Sequence, residues 1–503
     1  MLQDDIRRFI RYGKARFSLS EEDALFAQNA VLALLGQDAL PDGPEPEVGA
    51  DLGPDEVVRP LLEAALEGGT ARERLPLLEA ALFGCLLPRP SEVIRAFAET
   101  EAKEGVRAAL DAFYRLCIDS NYIRMGDIRK NIEWTAPAPK ADLVMTINLS
   151  KPEKDNKEIA RQRSLPQVSY PKCMLCAENL GYAGRLNFPA RQTLRFLPLT
   201  LGGERWYFQF SPYVYYPQHC IAFSAEHRPM KIDRSTLVKL LDFVDRIPHY
   251  FIGSNADLPI VGGSILSHEH FQGGGTEMPL QKTALRRPFA VVKGVRVGVA
   301  DWYNSVVRVE GEVREAVLEA ADAVQRAWRG YADPEVGVEN SPAQPHNTVT
   351  PVACRRGKTY RLDLILRNNV TSPEFPDGVF HAHPEHHNIK KEGIGIIEAM
   401  GVFILPGRLQ RQCRAVAGVL TGRPFDPQDP DLAPHRRMVE QLTARHGTAL
   451  GQEEAEAVVR QFLDQTCLDI LRNTAVFKED EKGQAHFDRF LTAAFGPEKG
   501  ENR

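Results

Sequence analysis

The chain has 503 residues, 43% hydrophobic and 26% charged, a length that implies two to four domains at roughly 100 to 200 residues each and a composition that excludes a disordered or collagen-like polymer. A formal charge of −5, from 62 basic and 67 acidic residues, supplies no bulk positive field for a nucleic acid backbone, so an anionic ligand must be held locally. Eight cysteines are too few for a disulfide scaffold. With no signal-like N-terminus and no run near the ~20 apolar residues of a membrane span, the expected location is cytoplasmic, with neither nucleic acid nor membrane as partner.

Residues 1 to about 120 read as helical. Ser20 and Asp23 form a capping-box-like start ahead of Ala24-Leu25-Phe26, and further helices are expected over Val57 to Ala65 and Val93 to Tyr114. The Pro, Gly and acid-rich stretch Asp38 to Asp55 reads as a loop between the first and the rest. No catalytic signature falls in this region, which reads as structural or oligomerising. Lys151 to Arg163, dense in mixed charge, reads as a solvated boundary loop. From Thr193 to Phe223, aromatic and β-branched runs separated by turns such as Gly202-Gly203 predict an antiparallel sheet. A helix is expected at Ser235 to Val244, and strands around Ile260 to Ile265 and Phe289 to Val299. A second stretch is built in a similar way, with a strand at Ser305 to Glu310, a helix at Val313 to Trp328, then a hairpin of Thr348 to Ala353 and Thr359 to Leu366 around Arg356-Gly357. It too ends on a histidine cluster, His381 to His387, followed by an apolar segment to Leu405, and the two halves suggest an internal duplication. From Asp426 the chain is helical again, to a charged end at Pro497 to Arg503.

No histidine precedes His219, and ten of the thirteen lie between His219 and His387, which is where any histidine chemistry must sit. In Gly262-Gly-Ser-Ile-Leu-Ser-His-Glu-His-Phe-Gln272, the residues His268, His270 and Gln272 alternate at period two, so a strand would project all three to one face. Two histidines and a glutamine on one face, preceded by glycines, favour a site over a satisfied core. Imidazole, with an ordinary pKa near ~6.5, is neutral enough at pH 7 to attack phosphorus or bind a metal. Cys173-Met-Leu-Cys176 has a zinc-ligand spacing, but alone it equally suits a redox pair or two core thiols.

His268-Glu-His-Phe-Gln272 resembles the His-Pro-His-x-Gln motif of the galactose-1-phosphate uridylyltransferases, within the histidine triad superfamily. The chain from Asp119 to Leu409 resembles their longer bacterial branch, the second type of UDP-glucose:hexose-1-phosphate uridylyltransferase. The carrying segments are Asp119-Ser-Asn-Tyr-Ile, Asn148-Leu-Ser-Lys-Pro-Glu-Lys-Asp, Tyr170-Pro-Lys-Cys-Met-Leu-Cys, Gly181-Tyr-Ala-Gly-Arg-Leu-Asn, Phe210-Ser-Pro-Tyr-Val-Tyr-Tyr and His387-Asn-Ile-Lys-Lys-Glu-Gly-Ile-Gly. With the element reading, the resemblance implies an α+β fold, a duplicated histidine-triad-like antiparallel sheet core with helical additions at both ends. The expected division is a helical region 1–135, a first half 136–290 with the nucleophile, a second half 291–425, and a helical region 426–503.

The resemblance implies that His270 attacks the α-phosphorus of UDP-glucose, expelling glucose 1-phosphate, and that galactose 1-phosphate then takes the uridylyl group. Gln272 favours transfer over hydrolysis, because a histidine there could carry a proton to a leaving alcohol or amine, whereas glutamine can only hydrogen-bond phosphoryl oxygens. Glu269 stands where the family motif has proline; on a strand it faces away from His270, and no catalytic role is assigned to it. The resemblance joins Cys173 and Cys176 to His227, in Phe223-Ser-Ala-Glu-His, and to His268 as a closed structural zinc site. His381-Ala-His383 resembles a second metal site of the shorter enzymes, for iron or zinc. His346 is its leading candidate for a further ligand and Glu277 a weaker one, with His386 and His387 as alternatives. A polar cluster or a sugar-phosphate contact suits these residues equally.

For the substrates, UDP-glucose and hexose 1-phosphates, Gly262, Gly263 and Ser264 allow close backbone approach. Asn255 lies about where the family has an asparagine near the nucleotide. Lys390 and Lys391, ahead of Gly393-Ile-Gly395, resemble the lysine that meets the hexose phosphate, and Glu398 the acid that holds sugar hydroxyls; otherwise they read as a basic surface turn and a helix carboxylate. Arg185 and Arg191 flank Asn187 and Pro189 in a segment placed near the nucleotide by motif density. Phe208, Phe210 and Tyr213 suit either a uracil pocket or the core. The shorter enzymes pair as dimers across the site, and a homodimer is an expectation that this sequence does not fix. The competing readings are a nucleotide hydrolase or phosphorylase of the superfamily, opposed by Gln272, and a noncatalytic binding protein, opposed by the retention of both motif histidines.

Overall fold

Six α-helices occupy the first 119 residues of the computed structural model, which describes residues 2–44, 46–47, 49, 51–150, 168–263 and 265–496. They are α1 (Leu2–Phe17), α2 (Glu21–Leu34), α3 (Pro54–Glu67), α4 (Leu75–Leu86), α5 (Pro90–Glu104) and α6 (Val106–Asp119). The Ser20 hydroxyl caps α2 by accepting from the Asp23 N–H at 3.0 Å, as the sequence pattern predicts. Val93 to Tyr114 is two helices, not one. Gly105 ends α5 with a φ of 88°, a left-handed conformation that a Cβ disfavours, and α6 starts at the next residue. Phe9, Leu61 and Phe83 are completely buried among these helices, Phe9 packing edge-on against Phe83 with centroids 5.3 Å apart. The charged stretch Lys151 to Arg163, the residue Ser264 and the end Pro497 to Arg503 lie outside the described residues.

Strands β1 (Ile132–Ala136) and β2 (Leu143–Asn148) pair antiparallel. The aromatic stretch then forms β3 (Leu197–Leu201), β4 (Glu204–Phe210) and β5 (Cys220–Ser224), with Gly202-Gly203 as the turn between β3 and β4. β4 and β5 are antiparallel, Trp206 opposite Ser224 and Phe210 opposite Cys220. Phe208 and Phe210 are buried and pack on Phe113, with centroids 6.4 and 5.5 Å away, so they belong to the core and not to a uracil pocket. Tyr213 is more exposed and stacks on Tyr215.

Further on come α7 (Arg234–Arg246), β6 (Phe251–Gly253), β7 (His270–Gly274), β8 (Leu285–Val292), β9 (Val295–Ala300), β10 (Val306–Gly311), α8 (Arg314–Gly330), β11 (Asn347–Arg356), β12 (Thr359–Asn368) and β13 (Val402–Pro406). The tail carries α9 (Arg408–Leu420), α10 (Arg436–His446), α11 (Gln452–Asn473) and α12 (Glu481–Phe495). The expected strand at Ile260 to Ile265 does not form among the described residues. Pro259 lacks an N–H, its carbonyl accepts from Val261 N–H at 2.9 Å in a tight turn, and Ile260 takes a φ of 72°.

The chain divides into two compact units. The first comprises Met1–Lys130, Lys154–Thr200 and Glu204–His227, the second Asn131–Glu153, Leu201–Gly203 and Arg228–Arg503. Within the second, the strand order is β7-β6-β11-β12-β10-β9-β8, antiparallel throughout, while β13 pairs parallel with β2. The succession of three strands, a helix and two strands from β3 to β7 recurs from β8 to β12. The fold is therefore α+β, with mainly antiparallel strands. Two ion pairs bridge β10 and β12 in register: Arg308 Nε to Asp363 at 2.6 Å, both fully buried, and Arg361 Nε to Glu310 at 2.6 Å. The C-terminal helix α12 seats Phe490 against Trp328 of α8, centroids 5.2 Å apart. No helix among the described residues is long and apolar enough to cross a membrane.

Candidate functional site

Strand β7 begins at His270, so only His270 and Gln272 alternate on the strand, and His268 lies in the stretch before it. The cause is a distant partner. Residues 266–269 are held by the segment 228–230, with Met230 N–H donating to Leu266 O at 2.8 Å and Glu269 N–H to Arg228 O at 2.7 Å. That pairing fixes His268 and His270 in the interior, where both are buried.

His270 Nδ1 lies 2.8 Å from the carbonyl oxygen of His268. A carbonyl only accepts, so Nδ1 carries the proton and the lone pair of the neutral ring stays on Nε2. Burial, with the neighbouring His268 ring adding to it and the carbonyl bond opposing, lowers the His270 pKa to about 4. The imidazole is thus neutral near pH 7, the state a nucleophile needs. Glu269 is also buried, but its carboxylate is taken up by Arg228 Nε at 2.6 Å and Lys239 Nζ at 2.9 Å.

A second set of predicted residues gathers around Asn255. Its Oδ1 accepts from Ile396 N–H at 2.9 Å. A Cβ on Gly263 would stand 2.5 Å from Asn255 Nδ2, and one on Gly395 2.9 Å from its Oδ1, so the close approach of both loops to this side chain requires glycine. Gly262 lies beside the other glycine loop, since a Cβ on Gly393 would meet Gly262 O at 3.5 Å. Lys390 is buried and pairs with Glu398 Oε1 at 3.0 Å, while Glu398 Oε2 accepts from Gly395 N–H at 3.2 Å. Burial opposes the charge on Lys390, yet the Glu398 carboxylate outweighs it and raises its pKa. Lys391 is exposed.

Arg367, to which no sequence motif points, belongs to this set. It is almost completely buried and donates from Nη2 to Ile394 O at 2.8 Å, whereas Nε and Nη1 have no hydrogen-bond partner among the described residues. Burial lowers its pKa to about 10. His381 Nε2 accepts from Ile394 N–H at 3.1 Å, so Arg367 and His381 together hold the backbone N–H and C=O of Ile394. His381 falls to about pKa 4 through burial, with Arg367 adding to the effect. The one sequence signal for Arg367 is a charge at the end of the apolar run Leu364 to Leu366.

Cys173, Cys176 and His227 stand together in the first compact unit. Cys173 Sγ is 3.6 Å from Cys176 Sγ, which is 3.1 Å from His227 Nδ1. Two Zn–S bonds of about 2.3 Å at a tetrahedral angle would put their sulfurs ~3.8 Å apart, so the spacing fits a metal. The CxxC turn is preset, Asn179 Nδ2 donating to the carbonyls of Cys173 and Cys176 at 2.8 Å each. Burial, with Cys173 adding to it, raises the Cys176 thiol to about 11; a bound cation would reverse that by stabilising the thiolate.

The second histidine set is not gathered this way among the described residues. His346 Nδ1 is 2.8 Å from Asn369 Oδ1, His383 Nε2 is 3.1 Å from Val379 O with its ring stacked on Phe375, and Glu277 pairs with Arg356. His387 Nε2 bonds Ala382 O at 3.0 Å. Arg185 is engaged locally, with Asn187 Oδ1 at 2.8 Å and Tyr170 O at 3.0 Å, and the Arg191 N–H closes the same loop on Tyr182 O at 2.7 Å.

Two family descriptions match the chain: galactose-1-phosphate uridyl transferase, N-terminal domain, over residues 18–229, and its C-terminal domain over residues 243–422. The chain is 42% identical to a galactose-1-phosphate uridylyltransferase of Caldanaerobacter subterraneus subsp. tengcongensis, over 97% of each chain. It is 43% identical to the protein of that name from Fusobacterium nucleatum subsp. nucleatum and 42% identical to that of Bacillus subtilis, again over 97% of each chain.

Proposed function

The chain belongs to the galactose-1-phosphate uridylyltransferase family, and from that premise we propose that it moves the uridylyl group of UDP-glucose to galactose 1-phosphate through a covalent intermediate on His270. In the first step the Nε2 lone pair of His270 forms a bond to the α-phosphorus, and the bond from that phosphorus to the oxygen of glucose 1-phosphate breaks. In the second, a phosphate oxygen of galactose 1-phosphate attacks the same phosphorus, releasing the imidazole and UDP-galactose. Covalent catalysis divides one difficult displacement into two easier ones. No acid is needed for either leaving group, which suits the neutral Gln272. The observation that carries this reading is the bond from His270 Nδ1 to the His268 carbonyl at 2.8 Å, which presents a neutral ring with Nε2 as its basic nitrogen.

Asn255, Gly263, Lys390 and Glu398 are the proposed substrate contacts around that centre. The Lys390–Glu398 pair, buried and hydrogen-bonded, would offer a cation to the sugar phosphate and a carboxylate to sugar hydroxyls. The metal of the Cys173, Cys176, His227 and His268 group is proposed to be zinc, since two thiolates and two imidazoles form a closed tetrahedral set. Its contribution is to fix the backbone of His268, and through it the His270 ring. The eight cysteines form no disulfide with one another, which suits the proposed reducing cytoplasm.

Isotope exchange tests the reading. Protein incubated with UDP-glucose and labelled glucose 1-phosphate, without galactose 1-phosphate, should move label into UDP-glucose, and His270→Ala should abolish it. Release of UMP without exchange would indicate a hydrolase instead.

A further inference from the structure

The helical tail beyond residue 422, past the end of both family matches, forms two walls of a cleft. It has a volume of about 1370 Å³ and is bounded by α10, α11 and the turn Pro384–His386. The α10 wall presents Arg437, Gln441 and Arg445 at i, i+4 and i+8, one helix face, and the α11 wall presents Gln461, Gln465 and Asp469 at the same spacing. His386 and His387 close the third side.

Arginines outnumber carboxylates in this cleft: Arg437, Arg445 and Arg472 stand against Glu385 and Asp469. Asp469 is held by Arg472 at 3.1 Å and Gln465 at 2.8 Å, whereas Glu385, on the turn, lies 3.9 Å from His386, whose pKa burial lowers. Arg437 and Arg445 are exposed and have neither a hydrogen bond nor an ion pair among the described residues. Eight residues of helix separate their backbones by roughly 12 Å, so the two guanidiniums match an extended run of phosphoryl groups better than a single phosphate. Between the walls lies an apolar floor of Met438, Leu442, Val458 and the half-buried Phe462, a surface on which a planar base can rest. The turn is already in place: His386 O accepts from Ile389 and Lys390 N–H at 2.9 and 3.0 Å, and Asn388 Nδ2 lies 3.0 Å from His435 Nδ1.

We propose that this cleft is a second ligand site, which binds a nucleoside polyphosphate with its phosphates on Arg437 and Arg445 and its base over Phe462. The guanidinium fork suits phosphate oxygens, the neutral amides of Gln441 and Gln461 add hydrogen bonds, and the volume accommodates a ligand of nucleotide size. None of Arg437, Gln441, Arg445, Gln461 and Phe462 belongs to the proposed transfer site, so the inference goes beyond that reading.

The test is calorimetric titration of ATP into the full chain saturated with UDP-glucose. The expected result is binding that persists under that saturation and weakens about tenfold or more in Arg437→Gln/Arg445→Gln, while uridylyl transfer by the double variant stays at the wild-type rate. Both positions are exposed helix residues, so the fold should tolerate the change. Absence of ATP binding, its displacement by UDP-glucose, or equal affinity in the double variant would overturn the proposal. Because the readout is binding, it does not depend on turnover or on the role of His270.

Discussion

The proton on His270 Nδ1 is directed, across 2.8 Å, at the carbonyl oxygen of His268. His268, the proposed fourth ligand of the Cys/His group, therefore sets, through its backbone, which nitrogen of the next histidine is available for chemistry. A metal at His268 and a nucleophile at His270, as proposed, would then be one mechanical unit: what holds His268 would also aim His270.

That linkage makes the metal measurable through the chemistry. Purified protein is expected to carry about one zinc per chain at the Cys173, Cys176, His227 and His268 group. Cys176→Ser should lose it, with a fall in both thermal stability and uridylyl transfer. Metal analysis showing neither zinc nor iron would refute the site.

Gln272 offers a test of transfer against hydrolysis. Gln272→His places an acid–base group at the third motif position, and the expected outcome is faster release of UMP from UDP-glucose in the absence of acceptor. Hydrolysis unchanged from wild type would show that the glutamine does not guard the intermediate in this way.

The Lys390–Glu398 pair predicts a split between substrates. Lys390→Met removes a charged donor beside the glycine loop, and a hydrogen bond to a charged group is worth ~1.5–3 kcal/mol. The KM for galactose 1-phosphate should rise by about tenfold or more, with that for UDP-glucose little changed. Equal increases in both would assign Lys390 to general loop structure.

Stability should depend on the charged ladder between β10 and β12. Asp363→Ala strands the fully buried guanidinium of Arg308, and loss of one partner from a buried pair costs about 3–5 kcal/mol. Urea unfolding should register that loss; a change under about 1 kcal/mol would mean that the pair is not isolated from water.

The parts of this molecule that are legible in its sequence are those written locally. The Ser20 cap, the Gly202-Gly203 turn and the hairpin around Arg356-Gly357 each depend on a few adjacent residues. The alternation of His268, His270 and Gln272 marks the site for the same reason, although the strand itself starts only at His270, because residues 266–269 answer to the distant segment 228–230. No local pattern announces such a partner. Lys239 and Arg367 escape a sequence reading for a related reason. A lysine on a helix and an arginine at a strand end are usually solvated, and only the tertiary fold shows Lys239 bonded to Glu269 and Arg367 to Ile394 O. Arg437 and Arg445 likewise read as an ordinary polar helix face until α11 is seen opposite them.

The proposed chemistry stands or falls on a uridylyl group carried by His270, and mass spectrometry of the chain after brief mixing with UDP-glucose alone observes that group itself. The expected spectrum shows an added mass of one uridylyl group, located on the peptide containing His270, removed by galactose 1-phosphate and absent in His270→Ala. An unmodified chain that still turns over, or a uridylyl group found on another residue, would contradict the covalent relay through His270.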